Sequence, residues 1–493
     1  MFYKSTRSNQ NATATAAQVI KQGLANDGGL FVPECIPTLT MDEITALCRE
    51  SYPVRAAKVL SKFLTDYTYD ELLADCREAY DESSFVGGAA PMVNIHDNFE
   101  SLELWHGPTA AFKDMALQIM PRLLSRALVK TGETRTALIL VATSGDTGKA
   151  ALEGYKDVRG VKIMVFYPVD GVSRVQKLQM ATQTGSNVNV CAIRGNFDDA
   201  QTGVKVIFGD ESMAKELNEK GYFFSSANSI NWGRLAPQIV YYVSAYCDLL
   251  NAGKCKAGES FNVCVPTGNF GNIFAAYLAK LMGLPIGRMI CASNVNNILT
   301  DFLRTGVYDR NRDFHLTMSP SMDILISSNL ERLLYFVAGS EKTAAYMNDL
   351  KTSGRYEVDG AILSEIQTNF SGYYTSEEET AETIRATFEK YGYLADTHTA
   401  VAIHAAEEYV RESGDTRPMV IDSTASPYKF ANNVYRAVTG KEATSELDAL
   451  DELSEATATE IPYPLAGLAT RKVNFDKTVD REAMAKAVLE YLS

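Results

Sequence analysis

The chain has 493 residues, 46% of them apolar and 22% charged, with a net charge of −14. That length exceeds what one hydrophobic core serves, so two or three domains are expected. The negative balance argues against nucleic acid or an anionic membrane as main partner, and no apolar run approaches the roughly 18 residues that span a bilayer.

The N-terminus, MFYKSTRSNQNATATAAQ, lacks the apolar stretch of a secretory signal. Residues 1–95 read as mainly helical, with 3.6-like spacing over 14–24, 41–49, 53–64 and 69–79. Gly87-Gly88-Ala89-Ala90-Pro91 marks a boundary. From about residue 100 strands and helices alternate. A strand over 99–105 precedes an amphipathic helix over 114–128, which Pro121 should kink or break. Apolar runs at 136–142, 161–167, 188–193, 261–265, 289–293 and 419–422 read as buried strands. Helices fall between them, near 147–155, 175–182, 197–208 and 234–250. Residues 300–390 give a weaker pattern, apart from an acidic-led helix over 377–390. Such alternation implies parallel sheets covered on both faces.

Eight cysteines are scattered and form no CxxC, and the five histidines form no HExxH. Free thiols in a reducing cytoplasm are expected, with no metal site and no disulfide frame.

Three loops share one geometry: 143–148, 266–272 and 423–427 each follow a strand and open a helix. That edge is where open α/β sheets place ligands. In the second loop, Gly268, Asn269, Phe270, Gly271 and Asn272 lead into a helix whose free N–H groups suit one phosphate. It carries no lysine, so it is not a Walker A loop. Taken alone, it is also compatible with a plain strand-to-helix turn. A fourth element, HGPTAAFKD, puts Lys113 at a helix start, where a cation is disfavoured. Such a lysine suits imine chemistry, although a solvated surface lysine fits the segment equally well. A reactive lysine with a phosphate cradle suggests pyridoxal phosphate.

The strings HGPTAAFKD, TSGDTG, NSINWGRLAPQIVYY, PTGNFGN and STASPYKF together resemble threonine synthase, and the N-terminal STR and DGGLFVPE fit as well. The resemblance runs from Tyr3 to about Val438. It implies an α/β, tryptophan synthase β-like fold: two parallel-sheet, three-layer domains plus a helical N-terminal region. The expected layout is a large cofactor domain over 96–136 and 231–445, a small domain over 137–230, and a C-terminal segment over 446–493. The cofactor implied is pyridoxal 5′-phosphate, with Lys113 resembling the lysine that holds it as an imine. Gly268 to Asn272 match its phosphate loop, and Thr424 resembles the hydroxyl facing its ring nitrogen. Ser144, Gly145, Asp146 and Thr147 resemble the loop near the ring and the substrate carboxylate. Relatives such as cysteine synthase carry Asn where this chain has Asp146, and an ionised carboxylate cannot donate a hydrogen bond to the ring oxygen.

The implied reaction converts O-phospho-L-homoserine and water into L-threonine and phosphate. Its leaving phosphate needs a second anion site, for which Arg174, Lys177, Asn228, Ser229, Asn231 and Arg234 are candidates. A related dehydratase or phospholyase that releases a keto acid is the alternative. The implied partner is the small-molecule substrate, with no nucleic acid or membrane, in a monomer or homodimer.

Overall fold

Two sheets organise the chain, described here by a computed structural model that covers every residue except Ser144 and Gly171. The larger sheet runs Phe370–Tyr374, Ile286–Ser293, Phe261–Pro266, Met419–Ser423, Phe99–Glu103, Met92–His96. Only Met92–His96 is antiparallel to its neighbour. The smaller sheet runs Thr478–Asp480, Val188–Arg194, Val161–Pro168, Thr136–Ala142, Tyr222–Ser225, parallel throughout. The central strand Phe261–Pro266 is buried along its whole length, as a parallel strand covered on both faces must be.

The N-terminal layer contains helices Ala16–Gln22, Met41–Leu47, Tyr52–Phe63 and Tyr69–Ala79. Three of them start with capping boxes, Thr15 with Gln18, Thr40 with Glu43 and Thr68 with Glu71. The layer is fastened by charge. Arg55 reaches Asp248 at 2.9 Å and the Ser244 hydroxyl at 2.7 Å on the buried helix Trp232–Asn251. Arg7 grips Glu331 with two N–H groups, at 2.8 and 2.7 Å.

The helix expected over 114–128 is two helices, Asp114–Leu117 and Met120–Lys130. Pro121 sits in the first turn of the second, where its missing N–H costs nothing, so the break falls just before it. The C-terminal segment is not a separate piece. Thr478–Asp480 adds an edge strand to the small sheet, and Met484, Val488 and Leu492 of the last helix join that sheet's core. The weakly patterned region holds Leu330–Thr352, kinked at Gly339, then Gly360–Asn369 and the sheet-edge strand Phe370–Tyr374.

The two sheets meet through a close helix contact. A Cβ on Gly154, in helix Asp146–Tyr155, would lie 1.8 Å from the Leu117 carbonyl oxygen. Gly154→Ala is therefore expected to cost at least about 1–3 kcal/mol by overpacking. Calorimetry should show a lowered thermal midpoint; an unchanged midpoint would contradict this contact.

Candidate active site

Three neighbouring parallel strands deliver the expected loops to one edge. Met419–Ser423 lies between Phe99–Glu103 and Phe261–Pro266 in the larger sheet. Their carboxyl ends lead to Lys113, Thr424 and the Gly268 loop. The Lys113 segment is then stitched to the chain just beyond Met419–Ser423. The Phe112 N–H donates to the Thr424 carbonyl at 2.8 Å, and the Ser426 N–H to the Ala110 carbonyl at 3.1 Å. Asp114 braces the turn from below: its carboxylate accepts from the Thr109 N–H at 2.8 Å and the Thr109 hydroxyl at 2.7 Å. Burial raises that carboxyl to about 6, against the pull of both hydrogen bonds.

The Lys113 side chain is only 12% exposed. Its pKa falls to about 8, chiefly through burial, with the cations Arg234 and Lys429 adding to the fall and Asp146 opposing it. The helix it starts has four residues, so the cause is burial rather than the helix dipole suggested by the sequence. Asp146 stands across from it, with Oδ2 4.0 Å from the Lys113 Nζ. Burial alone would raise this carboxyl; Lys429 and Lys113 outweigh burial and hold it well below the usual carboxylate range. Arg234 is buried, donates to the Ala227 carbonyl at 3.0 Å, and pairs with no carboxylate among the described residues. Burial lowers it to about 10, so it stays charged at neutral pH.

The Gly268 loop has a cradle's shape. Phe270 is left-handed, with φ 62°, and the helix Gly271–Met282 starts behind it. A Cβ on Gly268 would lie 2.6 Å from the Ser321 carbonyl oxygen, so only glycine fits. The Ser327 hydroxyl and the Asn329 N–H fasten the Gly268 and Asn269 carbonyls at 2.7 and 3.0 Å. The Tyr241 hydroxyl donates to Asn272 Oδ1 at 2.5 Å, and the buried Asn272 Nδ2 has no partner among the described residues. Tyr242 donates to Asp422 at 2.6 Å, and burial pushes that carboxyl up to about 7.

The other expected residues divide. Gly145 and Thr147 flank Asp146 at the start of helix Asp146–Tyr155, and a Cβ on Gly145 would overlap Gln176. Ser144 lies outside the described residues. Arg174 is exposed, its backbone N–H donating to Glu446 at 2.6 Å and its guanidinium without a partner among the described residues; Lys177 is half-buried. Helix Arg174–Ala181 instead turns Gln176 and Gln179 inward. The Asn231 carboxamide is committed to the fold, accepting from the Gly233 N–H and donating to the Ile20 carbonyl, each at 2.9 Å. Asn228 is exposed and caps its own turn. Lys429, Tyr242 and Asp422 carry no local sequence signal that marks them as site residues.

A buried amine of lowered basicity and a glycine-rich loop at a helix start, on one edge of the larger sheet, are features that a pyridoxal-phosphate site requires. The family model "Pyridoxal-phosphate dependent enzyme" matches residues 102–421, flanked by "Threonine synthase N terminus" over 2–80 and "Threonine synthase, C-terminal" over 399–488. Threonine synthase of Pseudomonas aeruginosa is 40% identical, over 90% of this chain and 91% of its own. Human threonine synthase-like 1 is also 40% identical over 86% of this chain, which spans 58% of that longer protein. The crystal structure of pyridoxal-phosphate-bound threonine synthase from Brucella melitensis superposes with a TM-score of 0.88 at 38% identity, covering 100% of this chain and 98% of that one. The chain belongs to the threonine synthase family of pyridoxal-phosphate-dependent enzymes.

Two outcomes follow from the geometry. Gly268→Ala must push the Ser321 carbonyl aside; at about 1–3 kcal/mol, that is about 5- to 150-fold weaker cofactor retention, measurable by equilibrium dialysis. In cofactor-free protein, amine labelling of Lys113 should rise as pH passes through about 8, because the ammonium loses its proton there. Exposed lysines should follow only near about 10.4.

Proposed function

We propose that this chain converts O-phospho-L-homoserine and water into L-threonine and inorganic phosphate. The observation that carries the proposal is the placement of Lys113: buried, near neutrality in basicity, and at the same sheet edge as the Gly268 cradle. The cradle residues Gly268 to Asn272 are proposed to hold the cofactor phosphate through backbone N–H groups. Thr424 is proposed to offer its hydroxyl to the ring nitrogen, and Lys113 to hold the cofactor through its amine. When bound, pyridoxal phosphate withdraws electrons from the substrate carbon skeleton, so that C–H bonds weaken.

The chain's own residues then move protons and hold charge. Once free, the Lys113 amine takes the proton from the substrate Cα, and as an ammonium it returns a proton to carbon later. Asp146 faces that nitrogen and favours its charged form. Arg234, a buried guanidinium without an acid partner among the described residues, is proposed to bind an oxyanion of the substrate. Arg174 and Lys177 remain outer candidates for the leaving phosphate. The free thiols favour a reducing compartment, and the cytoplasm is proposed.

The test is product identification with purified protein. Threonine and phosphate in equal amounts are expected; a keto acid with ammonia would replace this proposal with the lyase alternative. Lys113→Ala should retain cofactor non-covalently while turnover falls about 10²–10⁴-fold or more. Wild-type turnover in that variant would overturn the role of Lys113.

A further inference from the structure

Lys429 lies in the short 3-10 helix Pro427–Phe430 that follows the strand Met419–Ser423, and none of its side chain is exposed. Its ammonium has three donors, and three acceptors surround it: Asp146 Oδ1 at 2.9 Å, the Thr109 carbonyl at 2.9 Å and Gln179 Oε1 at 3.2 Å. No donor is left over for a substrate. The three acceptors come from three places: the Lys113 turn, the start of helix Asp146–Tyr155, and helix Arg174–Ala181.

The Asp146 carboxylate is divided by this arrangement. Oδ1 takes Lys429 and the Gln176 Nε2, the latter at 2.9 Å. Oδ2 is the oxygen that faces Lys113. A buried carboxylate is costly without a cation, and a buried ammonium without an anion. An Asn at 146 would leave Lys429 without its counter-charge; the Asp is matched to the lysine.

We propose that Lys429 is a positioning residue: it locks Asp146 Oδ1 so that Oδ2 serves as the anionic anchor for the Lys113 amine while that amine carries the substrate proton. The inference rests on Lys113 being the proton-carrying group. The step is balanced. The substrate C–H bond breaks and leaves its electron pair on carbon, an N–H bond forms at Lys113, and the reverse transfer restores the amine.

The test is a double-mutant cycle on the full chain with K429M, D146N and both together. In cofactor-free protein at about pH 7, where most of the amine is protonated, D146N should speed Lys113 labelling about threefold or more, because the amine loses the Asp146 anion while the cations Arg234 and Lys429 remain around it and only Asp114 opposes them. In the loaded enzyme, K429M should lower kcat about tenfold or more with KM changed less than about threefold. In the D146N background the same substitution should change kcat less than about twofold. An equal loss in both backgrounds overturns the proposal, as does Lys113 labelling in D146N at the wild-type rate. Should K429M not fold, Q176L removes the other grip on Oδ1, and its loss of kcat should likewise vanish in the D146N background; an equal loss there counts against the proposal. Wild-type protein that forms no threonine sinks the activity assignment instead, and the labelling arm, which needs neither substrate nor cofactor, still decides the role of Asp146.

Discussion

The short antiparallel pairing between Ala110–Phe112 and Thr424–Ser426 is the contact on which the site depends. Two backbone hydrogen bonds, 2.8 and 3.1 Å long, join segments more than three hundred residues apart in sequence. They hold Lys113 against the carboxyl end of Met419–Ser423, the strand next to the one that leads to the Gly268 cradle. They also bring Lys429 within reach of the Thr109 carbonyl, and so bind the Lys113 turn to the small sheet through Asp146 and Gln179. Backbone pairing of this kind is indifferent to side-chain chemistry, which leaves the side chains free for the reaction.

Around that pairing the chain concentrates charge in a dry place. Lys113, Lys429 and Arg234 gather near the ionised carboxylate of Asp146, with Asp114 close by. Burial, with the neighbouring cations adding to it, lowers the basicity of Lys113, and Arg234 is left available to an anion. A substrate with a phosphate and a carboxylate would complete the balance. Electrostatics organised before the substrate arrives need little rearrangement as charge moves.

Much of this was legible from the residues. The run Phe261–Val265 and the glycines behind it marked a buried strand and an anion cradle because both features are local. Lys113 was legible as a lone cation in a small-residue turn, although its lowered basicity comes from burial, which a local pattern cannot report. Lys429 gave no signal, since its partners lie at positions 109, 146 and 179 and only the assembled sheets bring them together. The same holds for the strand Thr478–Asp480, whose three residues gain meaning only beside Val188–Arg194. Arg174 and Lys177 looked like phosphate ligands by residue type, yet the phase of their helix points Gln176 and Gln179 inward.

The most direct test of the account is borohydride reduction of the cofactor-loaded protein followed by mass mapping of its peptides. The account requires the reduced cofactor on the peptide that contains Lys113, with loss of the visible absorption band. Attachment at Lys149, Lys429 or any other lysine would contradict it.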